Sequence, residues 1–219
     1  MPIAVLSDIH GNMHYFNKVC DEIRKDSCDE VFYLGDAVGY FPHGHEAVSR
    51  LMAMGAQCLM GNHEAMLLGL DKNNHKKGAV YGLNETKKRM TRQELSFIAE
   101  LLPFKTISRY GKRILMVHGA PWDPLYGYVY ADTEYLNQIN YDMVFMGHTH
   151  RPFIRVAGNT AYVNAGSCGL PRDSGNKPGY VYWDETDAYI KRVDMGEDRS
   201  WYASLNIHAD VKQCLERRS

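Results

Sequence analysis

Three times in the first third of the chain a short apolar run ends on acidic, imidazole or carboxamide side chains and gives way to a helix-period segment. No other feature constrains the fold as strongly. Ile3 to Ser7 runs into Asp8-Ile9-His10-Gly11-Asn12, after which Met13 to Lys25 carries Phe16, Val19, Cys20 and Ile23 at helical spacing. Glu30 to Leu34 leads to Gly35-Asp36, a loop through Pro42 and a helix over about His45 to Met54. Gln57 to Met60 precedes Gly61-Asn62-His63-Glu64 and another helix. Buried-type strands alternating with helices imply βαβ units and a largely parallel sheet. The polar residues fall just past the strands' C-terminal ends, where an open α/β sheet forms its crevice.

Helices are expected over Ala79 to Arg89 and from about Thr91 to Leu101, the second with Thr91 as N-cap and Glu94 as its capping-box partner, stopped by Pro103. Thr106 to Tyr110 and Lys112 to Val117 flank Gly111 and predict an antiparallel pair leading into His118. Asp142 to Met146 is a strand ending at Gly147-His148-Thr149-His150. Phe153 to Val156, Thr160 to Asn164, Gly179 to Trp183 and Ala188 to Val193 alternate with turns, so a second sheet built from hairpins is expected, with a last helix over about Ser200 to Arg217. The expectation is one α/β domain over 1–219: two packed sheets with outer helices.

The 219 residues carry a formal net charge of -1, so no whole-molecule field draws the chain to nucleic acid or anionic lipid. No apolar run approaches the roughly 18 residues of a spanning helix. The start, Met1-Pro2-Ile3-Ala4-Val5-Leu6, lacks the basic region and apolar stretch of a secretion signal, and the chain reads as cytoplasmic. Cys20, Cys28, Cys58, Cys168 and Cys214 are odd in number and widely spaced, which predicts free thiols.

Ten histidines are the unusual part of the composition. Asp8, His10, Asp36, Asn62, His63, His118, His148 and His150 offer imidazoles, carboxylates and a carboxamide, without thiolate. That set suits divalent or trivalent Mn, Fe, Zn or Ni. The D-x-H and H-x-H pairs put alternate side chains on one side of an extended backbone. The donors are too many for one tetrahedral ion and suit two ions sharing a carboxylate, a geometry used for in-line displacement at phosphorus.

The ordered blocks Asp8-x-His10, Gly35-Asp36, Gly61-Asn62-His63-Glu64, His118-Gly119 and Gly147-His148-Thr149-His150 resemble the motif set of the calcineurin-like metallophosphoesterase superfamily. The resemblance implies a four-layer α/β/β/α sandwich of two mixed sheets with a binuclear metal centre. It implies that Asp8, His10, Asp36 and His150 hold one metal, that Asp36, Asn62, His118 and His148 hold the other, and that a metal-bridging hydroxide attacks phosphorus. It makes His63, facing the substrate, the candidate general acid. In the superfamily's serine/threonine protein phosphatases the Gly-Asp block continues to a second Asp and an Arg; here it reads Gly35-Asp36-Ala37-Val38-Gly39-Tyr40, so the acid supporting that histidine is missing. The blocks from Ser7 to Asn12, from Gly35 to Pro42 and from Asn164 to Asp173 instead resemble the small single-domain prokaryotic branch, associated with phosphodiester and nucleotide-type substrates.

Other residues keep two readings. Asn12 is a helix N-cap or a phosphate contact. Arg172 is a surface charge or a bidentate phosphate binder at the end of a Gly-rich loop. Glu64 orients neighbouring groups or sits at a helix start for dipole reasons. His14, His43, His45 and His75 read as surface or turn residues, with His43 and His45 close enough to Asp36 to meet substrate. Trp122, Tyr126, Tyr128 and Tyr130 form a loop packed on the core or a wall for a planar group, and Trp201 and Tyr202 dock the last helix. The function expected is metal-dependent hydrolysis of a small phosphodiester or nucleotide. Its alternatives are a phosphomonoesterase with the same site and a catalytically silent scaffold that binds proteins.

Overall fold

The computed structural model describes residues 1–71, 78–134, 136 and 139–218. In chain order the elements are β1 (Ile3–Leu6), α1 (Met13–Lys25), β2 (Glu30–Tyr33), α2 (Gly44–Ala53), β3 (Gln57–Cys58), α3 (Asn62–Leu68), α4 (Gly78–Tyr81), α5 (Leu83–Arg89) and α6 (Arg92–Ala99). There follow β4 (Phe104–Arg109), β5 (Lys112–Val117), β6 (Met143–Met146), β7 (Phe153–Ala157), β8 (Thr160–Asn164), β9 (Gly179–Trp183), β10 (Ala188–Arg192), α7 (Ser200–Ala203) and α8 (Ala209–Glu216). They build two mixed five-stranded sheets flanked by helices, ordered β10-β9-β1-β2-β3 and β4-β5-β6-β8-β7.

The central strands read as continuous apolar runs because both of their faces are buried. Ile3, Val5, Phe32 and Leu34 of the first sheet meet Ile114, Met116, Met143 and Phe145 of the second, with Trp183 closing the interlayer core. The alternate residues Ala4, Leu6 and Tyr33 face the helices, against Phe16, Val19 and Ile23 of α1 and Val48 and Leu51 of α2. On the far side, Leu115, Val117, Val144 and Met146 are covered by Ala120, Val129 and Leu136 from the β5–β6 connection. Each large side chain buried this way contributes about 1.5–3 kcal/mol. Local signals agree with the packing: Asn12 Oδ1 caps α1 at the Tyr15 amide, and Thr91 and Glu94 cap α6 reciprocally.

The structure corrects four expectations. The β9–β10 hairpin does not extend the second sheet; β9 pairs antiparallel with β1, which makes the first sheet mixed. A hairpin with two apolar faces fits either sheet, and the free edge of β1 decides. The helix expected over Ala79 to Arg89 breaks at Gly82, where φ is +61 and a left-handed residue resets the direction. The third strand is only Gln57–Cys58. The last helix is two, α7 and α8, so that Tyr202 and then Ile207, Val211 and Leu215 can each reach Tyr15, Phe41 and Leu170. Among the described residues no helix is long and apolar enough to cross a membrane.

Candidate metal centre

The two sheets bring the C-terminal ends of β1, β2, β5 and β6 to one place, and the chain leaves each strand through a turn. Asp8, His10, Asp36, His148 and His150 have φ between 52 and 66, five of the eight non-glycine residues with positive φ among those described. Left-handed backbone costs an ordinary residue on the order of 1 kcal/mol or more, and it persists only where the surroundings enforce it. Here the amides of Asp8 and His10 donate to the carbonyls of Gly35 and Asp36 at 3.0 and 2.9 Å, and the His148 amide donates to Asp8 Oδ2 at 3.0 Å. Strain and hydrogen bonds are concentrated on the polar residues, all of which are buried.

Backbone carbonyls fix the imidazoles. Nδ1 of His10, His118 and His150 lies 3.1, 3.0 and 2.6 Å from the carbonyls of Val38, Leu34 and Leu170. A carbonyl only accepts, so each Nδ1 carries a proton and each Nε2 points inward, the atom that offers a lone pair to a cation once it is free of its own proton. His10 Nε2 and His150 Nε2 are 3.0 Å apart, and Asp8 Oδ1 lies 3.6 and 3.2 Å from them. His118 Nε2 is 2.9 Å from Asn62 Oδ1, 3.1 Å from His148 Nδ1 and 3.4 Å from Asp36 Oδ2. Asp8 with His10 and His150, and Asp36 with His118 and His148, are two groups that could each hold an ion, and His10 with Asp36 and His63 is a third.

The field of the cluster invites positive charge. Burial opposes ionisation of Asp8 and Asp36, but His150 and His10 for the one, and His118 and His63 for the other, hold both carboxyls well below the usual range. Burial also opposes protonation of His118, yet Asp36 beside it lifts that ring to about 9. His148 and His150 are pushed down to about 3 and 4 by burial, with His118 and Arg172 adding to it. Facing lone pairs, a buried Asp8 Oδ1 without a hydrogen-bond partner and a thiolate-free donor set fit divalent cations.

His63, the candidate general acid of the sequence reading, lies against this cluster. Its Nε2 is 3.8 Å from Asp36 Oδ2, and its ring packs 4.7 Å from His10, 5.1 Å from Tyr40 and 4.4 Å from Tyr81. Nδ1 is buried without a partner, and Gly39 lies so close that a Cβ there would sit 2.1 Å away. Burial pushes His63 down to about 3 despite Asp36, so the ring is neutral in the free protein.

Glu64 orients its neighbours. Its carboxylate accepts from the amides of Asp36, Ala37 and Gly61 at 2.7, 2.7 and 2.9 Å and so ties α3 to the loop that carries Asp36. Asn12 is spent within the protein: Oδ1 caps α1, Nδ2 donates to the Gly169 carbonyl at 2.6 Å, and the residue is 1% exposed, which removes it as a substrate contact. Arg172 is half-buried beside the cluster, its amide donating to the His150 carbonyl at 3.1 Å and its guanidinium to the Tyr40 hydroxyl at 3.2 Å.

His43 pairs with Glu46 at 2.7 Å, His45 lies 3.9 Å from the same carboxylate, and His14 stacks on Trp201; none joins the cluster. His75 lies outside the described residues. The aromatic loop packs on the second sheet through Val129, while Trp122, Tyr128 and Tyr130 are exposed and the Tyr128 ring lies 4.2 Å from His148. Sequence reasoning missed Tyr40 and Tyr81 as walls of the site. No periodicity marks Tyr81, and Tyr40 (φ +65) stands out only through its backbone.

Known proteins share this architecture. A protein of Methanocaldococcus jannaschii, itself uncharacterized, is 32% identical over 216 residues, covering 90% of this chain and 88% of that one. A crystal structure of a metallophosphoesterase from Sphaerobacter thermophilus is 23% identical, covers 89% of both chains and superposes with a TM-score of 0.73. That of the hypothetical protein PH1004 from Pyrococcus horikoshii is 18% identical, covers 98% of this chain and 97% of its own and gives 0.74, a likeness of fold. The family profile described as the calcineurin-like phosphoesterase superfamily domain matches residues 1–188, and the chain belongs to that superfamily.

Proposed function

We propose that this chain is a two-metal phosphodiesterase acting on small phosphodiester or nucleotide-type substrates. The observation that carries the reading is the convergence of carbonyl-anchored imidazoles on two buried carboxylates at the strand ends. Asp8, His10, Asp36 and His150 would hold one ion and Asp36, Asn62, His118 and His148 the other. The oxygen and nitrogen donors suit Mn, Fe, Zn or Ni. Bound there, the pair supplies Lewis acidity toward a phosphoryl oxygen and acidifies water.

The chain's own groups do the rest. Glu64 holds the Asp36 loop in place, so the shared carboxylate does not reorganise when charge builds up. His63 turns Nε2 toward the cluster from a pocket formed by Tyr40, Tyr81 and Gly39. Neutral in the free protein, it gains proton affinity only beside a bound anion, and it then holds a proton at the leaving oxygen. Arg172 presents a guanidinium to a phosphate group of the substrate.

The test is hydrolysis of bis-p-nitrophenyl phosphate and p-nitrophenyl phosphate by chelator-stripped protein, with and without Mn²⁺, alongside His63→Ala. Diester turnover that returns with metal and falls in the variant supports both the diesterase and the role of His63. Turnover of the monoester alone makes the protein a phosphomonoesterase. Full activity in stripped protein overturns the reading.

A further inference from the structure

Beside the cluster, α4 and α8 flank an open cavity of about 390 Å³, a size that admits a small organic ligand. Its inner wall is made of the two tyrosines that also contact His63, so the cavity and the candidate metal centre share a partition. The Tyr40 amide donates to the Tyr81 carbonyl at 2.9 Å, which fixes that partition. Leu170 and Val211 add apolar surface, while Arg172 and Arg217 supply two positive charges. Arg217 donates to the Arg172 carbonyl at 3.2 Å, which ties its side chain to the Arg172 backbone.

Two arginines line one pocket, and a protein ordinarily answers neighbouring positive charges with a carboxylate. Among the described residues no carboxylate forms an ion pair with either arginine. Asp210, also at the rim, is 80% exposed at its side chain and lies 3.5 Å from His208. The pair is left for an anion from outside, and the aromatic wall between it and the metal centre suits a planar ring.

We propose that this cavity is the specificity pocket of the phosphoester site and takes a nucleotide that carries a second phosphate. The ring lies against Tyr81 and Val211, and the second phosphate meets Arg172 and Arg217 while the scissile phosphate lies at the cluster. This inference rests on the phosphodiesterase reading and narrows its substrate class.

The experiment compares the p-nitrophenyl esters of thymidine 3′,5′-bisphosphate (at the 5′-phosphate) and of thymidine 5′-monophosphate, which differ by one phosphate. Wild-type, Arg217→Gln and Arg217→Lys proteins are assayed, with calorimetric binding of thymidine 3′,5′-bisphosphate and thymidine 5′-monophosphate as a second readout. The wild type is expected to favour the bisphosphate ester in kcat/KM, and the bisphosphate in Kd, by about tenfold, the scale of one charge-assisted contact. The preference should fall toward one in Arg217→Gln and survive in part in Arg217→Lys. Arg217 is exposed, and unchanged melting temperatures would show that the variants fold. Equal use of the two esters by the wild type, or a preference that persists in Arg217→Gln, overturns the pocket while leaving the phosphodiesterase reading intact. Failure to hydrolyse either ester or bis-p-nitrophenyl phosphate overturns that reading, and the pocket with it.

Discussion

At the strand ends, Asp8, His10 and His118 are fully buried, their neighbours Asp36 and His150 are 1% exposed, and backbone carbonyls hold the rings. Beside them, the cavity between α4 and α8 is lined by half-buried Tyr40 and Arg172 and by exposed Arg217, which hydrogen bonds link to one another and to the His150 carbonyl. The first region accepts left-handed backbone and buried charge before any ligand arrives. The second lies nearer the surface. Chemistry at phosphorus needs donors fixed in advance, because reorganisation during the reaction would raise the barrier. Choice among substrates tolerates motion, and a loosely held rim can change without disturbing the centre.

The sharpest way to break this contrast is Asp36→Asn. The variant keeps the shape and removes the charge that lifts His118 to about 9. It is expected to lose roughly a thousandfold or more in kcat/KM together with bound metal, as measured by turnover and metal content. Near-normal metal content would show that the shared carboxylate does not govern the centre. Gly39→Ala strikes His63 without touching a ligand, since its Cβ would meet Nδ1 at 2.1 Å and its φ is +93. A roughly hundredfold fall in kcat, the scale of a lost proton-transfer group, is expected with metal content retained; loss of metal as well would make His63 part of the ligand cage. Glu64→Gln puts an N–H donor where backbone amides now donate. It is expected to weaken metal binding about 10–100-fold and to destabilise the fold by about 1–3 kcal/mol. Metal titration and urea unfolding read the two effects separately, and no change in either would reduce Glu64 to a residue at a helix start.

The contrast also explains what the sequence discloses. Asp8, His10, Asp36, Asn62, His118, His148 and His150 stand within a few residues of apolar runs, so strand, turn and donor are read together from one short segment. The structure then brings those segments side by side. The placement of β9 and β10 depends on which sheet edge is free, a non-local matter, and the hairpin's own alternation is compatible with either sheet. The break between α7 and α8 answers to the positions of Tyr15, Phe41 and Leu170, which lie far away in the chain. For Glu64 the sequence leaves an orienting role and a helix-start role side by side, because the donors that decide between them, the amides of Asp36 and Ala37, belong to another loop. Arg172 is marked by the Gly-rich loop that it ends, but the Arg217 side chain meets its carbonyl across a gap of 45 residues, and no local pattern marks Arg217.

Arg172 lies on the border between the two regions, with its amide on the His150 carbonyl and its guanidinium on Tyr40 at the cavity wall. Arg172→Lys keeps the backbone tie and the charge but loses the planar fork that reaches Tyr40 and a phosphoryl oxygen together. If the border separates chemistry from selection, KM rises about tenfold, the worth of one charge-assisted contact, while kcat and metal content hold. A fall in kcat of the same size with KM unchanged would place the guanidinium in the transition state instead. The rigid region would then extend into the wall of the cavity, and selection would be left to Arg217 and the exposed rim.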